Sequence, residues 1–227
     1  MEKLRKLIRA RKGFTLVELI VVVMILMVIT IAAVPGFVAS IRRSQFEKTV
    51  ADVVSLLNQA RTQAIASELN SQSKIPTGGY GVFFDLTDAV EPTEQKAVLF
   101  VDDWNEAKGA AVNVNYADED IANRILPDGI YTPSKDSELE TVNINAYKYV
   151  QLTFLKGEDL TSGEAWPNTP GNTVTVIFKP PYAETNILGN SSVELQNFEA
   201  EFKLLTEDQT RTIKFNRVTT SPQVFKN

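Results

Sequence analysis

An unbroken apolar segment near the start of the chain constrains the fold more than any other feature. Residues 14–34 read FTLVELIVVVMILMVITIAAV, with Glu18 as the only charged side chain. As a helix, this segment is about 31 Å long at about 1.5 Å per residue, close to the hydrocarbon thickness of a bilayer. The sequence therefore predicts a helix that can cross a membrane and that needs lipid or other apolar helices around it.

The charge distribution indicates how such a helix is oriented. Residues 1–13 carry a net charge of +5 and the remainder −10, in a chain whose total is −5. By the positive-inside rule, we expect the N-terminus in the cytoplasm and the acidic remainder on the far side of the cytoplasmic membrane. This split is typical of a targeting segment joined to a soluble body.

Glu18 needs a physical explanation because it lies inside the apolar segment. A carboxylate costs about 2.5–3.5 kcal/mol at the centre of a bilayer and less near an interface. If the chain is cut between Gly13 and Phe14, the new α-amino group lies four residues from Glu18. The amine of a neighbouring copy, displaced along the helix, could then neutralise this carboxylate inside an apolar bundle.

The run KGFTLVE at residues 12–18, its apolar continuation and then Pro35 resemble the N-terminal motif of type IV prepilins and type II secretion pseudopilins. The resemblance implies that a prepilin peptidase cuts after Gly13 and methylates the amine of Phe14. It also implies roles in assembly for Glu18 and Pro35. The motif covers about 30 of the 227 residues but is highly specific.

Simpler interpretations of the same features stay open. An ordinary secretory signal could end at Val38-Ala39-Ser40, although its apolar region would be unusually long, and a plain signal anchor fits the length. Pro35-Gly36 could break the helix between a membrane span and a surface helix. Neither a secretory signal nor a signal anchor accounts for Glu18.

Beyond Pro35, residues 36–74 are predicted to continue the helix in amphipathic form, ending between Ser67 and Ser73. Its predicted apolar positions are Phe46, Val50, Val53, Val54, Leu57, Ala60, Ala64 and Ile65. This pattern predicts a helix that packs one face against a sheet. The predicted organisation is a leader at 1–13, a membrane and assembly helix at 14–35, its continuation at 36–74 and a β-rich extracytoplasmic domain at 75–227.

The β-rich domain is predicted from short runs of β-branched and aromatic residues. These runs are Tyr80–Leu86, Lys96–Asp102, Tyr147–Leu155, Thr173–Lys179, Asn197–Leu205 and Thr210–Val218, of which the last two form a hairpin candidate. Polar loops are predicted at 103–124, 132–143, 156–172 and 180–192. The expected fold class is α+β, with one long N-terminal helix packed on an antiparallel sheet, which is also what the resemblance to pilins implies.

A second resemblance is narrower. Residues 57–66, LNQARTQAIA, and the following Gly-Tyr-Gly-Val at Gly79–Val82 are similar to the end of the helix in minor pseudopilins of the H type. Many type IVa pilins close a C-terminal loop with a disulfide, whereas this chain has no cysteine. Hydrogen bonds, a metal or packing would have to hold that loop here.

Composition narrows the function classes. The chain has no histidine and no cysteine, so Ser-His-Asp and Cys-His mechanisms are excluded. Together with this exclusion, the resemblance to pilins implies a filament subunit without catalytic activity and without a cofactor. The partners implied by the resemblance are prepilin peptidase, other pilin or pseudopilin subunits, the inner-membrane assembly machinery and, before assembly, membrane lipid. The expected final location is a filament outside the cytoplasm.

Two further kinds of site are weaker candidates. The carboxylate groups Asp118-Glu119-Asp120 and Asp102-Asp103 could bind calcium, although neither has EF-hand spacing and a solvated loop is the simpler interpretation. Asn190-Ser191-Ser192 satisfies the pattern for N-glycosylation, which is short and common. Trp104 and Trp166 could contact a partner, but burial is the commoner fate of so large a side chain.

Rival functions come from other classes. One is a signal-anchored extracytoplasmic binding protein or enzyme, for which Glu18 would have no purpose. Another is a DNA-binding minor pilin, but a charge of −10 beyond residue 13 disfavours nucleic acid as a partner. The basic side chains considered for it, which form no dense run, are Arg42, Arg43, Arg61, Arg211, Lys214 and Arg217.

Overall fold

One helix, α1, runs without interruption from Leu16 to Ala66. The computed structural model describes residues 15–66, 76, 78–86, 95–102, 104–105, 110–111, 130–133, 135–166, 172–190 and 193–226. The chain divides into two compact units, 1–44 and 45–227, and each is described by itself. The helix end predicted between 67 and 73 lies outside the described residues.

Within the second unit, the helix buries one face in the core. The buried apolar side chains of this part of α1 are Phe46, Val50, Val53, Leu56, Leu57, Ala60 and Ala64. Their spacing of three and four residues confirms the predicted apolar face. Ile65 is an exception, because 53% of its surface is exposed, so its predicted place on that face is wrong.

Twelve strands are described after α1. They are β1 (Tyr80–Asp85), β2 (Lys96–Val101), β3 (Trp104–Asn105), β4 (Ala110–Ala111), β5 (Ser137–Asn143), β6 (Val150–Asp159), β7 (Ala165–Trp166), β8 (Thr173–Lys179), β9 (Glu184–Gly189), β10 (Val193–Leu204), β11 (Gln209–Asn216) and β12 (Gln223–Lys226). Each run that was predicted as a strand overlaps one of them.

The main sheet is antiparallel, in the order β12-β11-β10-β9-β8-β1-β2-β5, and β6 pairs with β10 and with β7. The long strand β10 joins the two parts of this curled sheet, because Val193 and Glu194 pair with β9 whereas Leu195–Leu204 pairs with β6. Strands β3 and β4 pair with each other. The α+β class, with a helix packed on an antiparallel sheet, is confirmed.

Three loop predictions need correction. Residues 132–143 contain β5, residues 180–192 contain β9, and residues 156–172 contain the end of β6 and all of β7. Strand β5 is paired with β2 but mostly exposed, so its sequence lacks the apolar alternation that signals a strand. In the predicted loop at 103–124, only 104–105 and 110–111 are described, and both are strands.

The predicted C-terminal hairpin is confirmed as β10 and β11. Its turn uses Asp208 in the left-handed region, at φ 53°, where the usual glycine is missing. The Asp208 carboxylate lies 2.5 Å from Lys203 Nζ, across the end of the hairpin. This ion pair stabilises the turn, although the turn lacks the Asn-Gly or Asp-Gly dipeptide that usually marks a hairpin in the sequence.

Candidate processing and assembly site

The N-terminus of α1 is closed by a reciprocal pair of hydrogen bonds between Thr15 and Glu18. The backbone N–H of Glu18 donates to Thr15 Oγ1 at 3.2 Å, and the backbone N–H of Thr15 donates to Glu18 Oε2 at 3.4 Å. This arrangement is a capping box, which satisfies two N–H groups that a helix end leaves without partners. The negative charge of Glu18 also lies at the favourable end of the helix dipole.

The capping box gives Glu18 a structural role. This role was not predicted from the sequence, because Glu18 was interpreted only as the partner of an amine. The spacing Thr-x-x-Glu before an apolar run is its sequence signal, and residues 15–18 have it. The Glu18 side chain is exposed, and so is that of Thr15. The carboxylate therefore caps its own helix and still presents its charge to the surroundings.

The part of α1 that follows this cap, as far as Val34, is apolar on all sides and uncovered. Every large apolar side chain from Leu16 to Val34 is exposed, with fractions between 46% for Ile20 and 75% for Leu16. The hydroxyl of Thr30 donates to the carbonyl of Leu26 at 2.8 Å, so this polar group is satisfied within the helix. By length and composition, α1 can cross a membrane.

Pro35 lies inside α1, and the helix continues past it. The interpretation of Pro35-Gly36 as a break between a membrane span and a surface helix is therefore wrong. Because proline has no backbone N–H, the carbonyl of Ile31 loses its usual donor in the helix. Gly36 has no atom within 4 Å of where a Cβ would stand, so no close packing requires a glycine there.

Gly13 and Phe14 lie outside the described residues. Both lie within residues 8–34, which match the family model for the prokaryotic N-terminal methylation motif, while cleavage and methylation at these two residues stay predictions. This chain carries a prepilin-type motif. The match includes Gly13, Phe14 and Glu18 and ends one residue before Pro35.

The prepilin-type motif is the motif of type IV pilins and pseudopilins, and here a long apolar helix follows it, as in the predicted arrangement. No curated protein and no solved structure matches the chain. The motif thus supports a structural, pilin-like subunit that is anchored in a membrane by its N-terminal helix.

Most of the carboxylates proposed for a calcium site lie outside the described residues. Asp102 is buried at the end of β2, while Asp103 and Asp118-Glu119-Asp120 are outside the described residues. Within the described part of the chain, no group of three or more His, Cys, Asp or Glu side chains could hold a metal ion. The calcium site stays a prediction.

Asn190 has a local structural role. Its Oδ1 accepts from the N–H of Thr173 at 2.9 Å and its Nδ2 donates to Asn172 at 3.1 Å, which joins the ends of β8 and β9. Trp166 is buried, with its ring over Gly189, as expected for edge packing rather than partner contact. The side chain of Trp104 is not described.

The basic residues of the hairpin are each paired with a carboxylate. Lys214 Nζ lies 2.7 Å from Glu199, and Arg217 Nη1 lies 3.2 Å from Glu194. Arg211, buried in the hairpin, is paired with Glu47 of α1. These pairs reduce the positive potential that a nucleic-acid backbone would need.

Proposed function

We propose that this chain is a structural subunit of a type IV pilus or of a type II secretion-like pseudopilus. In this proposal, prepilin peptidase cuts between Gly13 and Phe14 and methylates the new amine, and the mature helix assembles with other subunits. The supporting observation is the prepilin-type motif at 8–34, which extends into α1, where every large apolar side chain from Leu16 to Val34 is exposed.

The exposed apolar surface is the physical reason for assembly. In the membrane, lipid covers the side chains between Leu16 and Val34, and in a filament the helices of other subunits cover them instead. The basic leader stays in the cytoplasm, and the acidic body lies outside the cytoplasmic membrane until the inner-membrane machinery extracts the helix.

Glu18 supplies both the helix cap and the charge for assembly. Removing a carboxylate from water without a partner is costly, so the methylated amine of a neighbouring Phe14 stabilises it in the bundle. The capping box leaves this pairing available because its hydrogen bonds do not neutralise the charge. The two roles can be separated by substitution, since glutamine completes a capping box but carries no charge.

The processing step is tested on the protein isolated from cells that express prepilin peptidase. We expect N-terminal sequencing and mass spectrometry to show a chain beginning at Phe14 with the mass of one added methyl group. Gly13→Leu should leave the leader attached. A mature start near Ser40 or Ile41, or an uncut Met1, would instead support a secretory signal or a signal anchor.

The assembly step is tested by the yield of filaments sheared from cells. We expect Glu18→Gln and Glu18→Ala to reduce the yield to a similar extent, because both remove the charge. Thr15→Ala is the matched control, since it removes the cap and keeps the charge, and its yield should stay near that of the wild type. If Glu18→Gln assembles normally while Thr15→Ala fails, Glu18 acts only as a cap.

A further inference from the structure

The main sheet has an edge strand at each end of its strand order, β12 at one end and β5 at the other. Strand β12 pairs with β11 and β5 pairs with β2, and no other strand of the described residues pairs with either. All four residues of β12 are exposed, and so is most of β5. Each strand therefore has one side on which its backbone N–H and C=O groups can pair with a further strand.

Strand β12 presents apolar side chains as well as backbone groups. Its sequence is Gln-Val-Phe-Lys, with a single charge at Lys226. Val224 is 45% exposed and Phe225 is 41% exposed, on opposite faces of the strand. An edge strand of this kind is suited to the addition of another strand, which gains main-chain hydrogen bonds and covers the apolar side chains.

The direction of the strands limits how a second copy can join. All neighbours along the main path are antiparallel, so the outermost of its eight strands, β12 and β5, run in opposite senses. If the sheet of a second copy continues the first in the same sense, β5 of that copy joins β12 antiparallel. Antiparallel strands need no connection between them and can therefore come from two chains.

The ladder partners of the edge residues show which face of the sheet each belongs to. Val224 and Lys226 of β12 lie on the core-facing side, as do Glu140 and Val142 of β5. The partners that place them there are Arg211, which contacts α1, and the core residues Ile213, Leu99 and Ala97. Because strand residues alternate between faces, the residues between and beyond them lie on the other side.

We propose that β12 of one copy pairs antiparallel with β5 of a second copy of this chain. The inference rests on the proposed function, in which apolar helices bring copies of the chain together. In the preferred register, the four pairs are Lys226 with Glu140, Phe225 with Thr141, Val224 with Val142 and Gln223 with Asn143.

Charge and face together select this register. It sets an ammonium group opposite a carboxylate and two valine side chains opposite each other, all on the core-facing side. A shift by one residue turns every side chain of one strand to the wrong face. A shift by two residues sets Lys226 opposite either Val142 or Glu138. Val142 carries no charge, and Glu138 lies on the other face because a register irregularity separates it from Glu140.

The contact is too small to hold two separate copies together. Four residue pairs supply few hydrogen bonds between strands, and an exposed ion pair adds little. The pairing therefore forms where the apolar helices already raise the local concentration of copies. Each copy has one β12 and one β5, so the contact is heterologous and can be repeated from subunit to subunit.

Disulfide cross-linking of the full chain tests the pairing. Two differently tagged forms, one with Gln223→Cys and the other with Asn143→Cys, are expressed together and oxidised, both in cell membranes and in sheared filaments. The chain has no cysteine of its own. We expect a disulfide-linked dimer carrying both tags.

Two controls accompany the cross-linking. Thr161→Cys, an exposed position between β6 and β7, replaces Asn143→Cys and should give roughly tenfold less mixed dimer. Gln223→Cys carried by both tagged forms detects pairing of β12 with β12. If either control gives as much mixed dimer as the proposed pair, the proposal is wrong.

The two samples separate this contact from the proposed function. Mixed dimer in membranes of cells that form no filaments would support the pairing while contradicting the filament. Filaments without mixed dimer above the controls would overturn the pairing and leave the filament intact. Absence of mixed dimer from both samples overturns the pairing as well.

A charge exchange tests the register. Lys226→Glu in the Gln223→Cys form, or Glu140→Lys in the Asn143→Cys form, should lower the mixed dimer roughly threefold. Both changes together should restore most of it, because the charges are again opposite. Glu164→Lys, at an exposed position outside both strands, is the matched control and should have no effect. If the double exchange restores nothing, Lys226 does not lie opposite Glu140.

Discussion

Arg211 on β11 donates a hydrogen bond from Nη2 to the carboxylate of Glu47 on α1, and its guanidinium lies 5.6 Å from the centre of the Phe46 ring. The hydroxyl of Tyr149 donates to the side chain of Gln45 one residue before Phe46. These contacts involve three consecutive residues of α1, at the beginning of the second unit. They join the helix to the sheet at the first point where α1 has a buried face.

The two ends of this ion pair differ in burial, and the difference predicts unequal effects of substitution. The side chain of Arg211 is 8% exposed and that of Glu47 is 41% exposed. Glu47→Ala leaves a buried guanidinium without its counter-charge, so we expect a loss of about 2–3 kcal/mol in the free energy of unfolding. Arg211→Met leaves a solvated carboxylate and should cost about 1 kcal/mol or less. Urea unfolding of both variants in detergent measures the two values, and equal losses would contradict the expected asymmetry.

Gln95 connects two parts of the sheet through the backbone of β6. Its Nε2 donates to the carbonyl of Leu152 and its Oε1 accepts from the N–H of the same residue, both at 2.8 Å. Gln95 is buried, so Gln95→Leu leaves two backbone groups without partners and should cost about 2–5 kcal/mol. Thermal unfolding compared with that of the wild type measures this loss.

Gln95→Glu adds a pH dependence to the same contact. A protonated glutamic acid can donate and accept as the amide does, whereas the carboxylate cannot donate and is buried. The pKa of this Glu should therefore be raised in the folded state. Its stabilising contribution is complete below the unfolded pKa of about 4.3 and is lost as the pH rises through the folded value. Unfolding at pH 4 and pH 7, each relative to the wild type, should show the larger loss at pH 7.

The surroundings of Tyr131 lead us to expect that the folded protein loses stability at alkaline pH. Burial, and then the hydrogen bond that its hydroxyl donates to Glu138, raise the pKa of Tyr131. The folded protein therefore favours the neutral phenol, and the stability it contributes is lost as the pH rises above about 10, where the unfolded phenol ionises. Tyr131→Phe should be less sensitive to pH between 9 and 11, as measured by urea unfolding. A parallel decline in both proteins would count against this expectation.

Gly81 leaves room for an aromatic ring on the face of the sheet away from the main core. A Cβ at Gly81 would lie 2.5 Å from Phe100 Cζ, and Phe100 packs on Tyr131 with ring centres 4.9 Å apart. Gly81→Ala should therefore cost about 1–3 kcal/mol through overpacking. Gly36→Ala is the matched control, because a Cβ there meets nothing within 4 Å, and it should leave stability unchanged or slightly increased. Thermal unfolding of the two variants tests the contrast.

The sequence by itself determined the elements with a strong periodic signal. An apolar run of bilayer length and the three-four spacing from Phe46 to Ala64 are local patterns, so they could be read before any fold was known. The strands β1, β2, β8, β10 and β11 were found for the same reason. The specific order of Gly13, Phe14 and Glu18 likewise identified the motif that the family model matches.

Only the tertiary structure decided the features that depend on residues distant in the chain. Strand β5 is an exposed edge strand, and its extended form comes from pairing with β2. Its own side chains lack the apolar alternation by which a strand is predicted from sequence. Gln95 contacts Leu152 across 57 positions and Arg211 contacts Glu47 across 164, and no local pattern encodes such partners. Local sequence determines where a helix or a strand is favourable, whereas the partner of a buried polar group is decided by which strands the chain brings together.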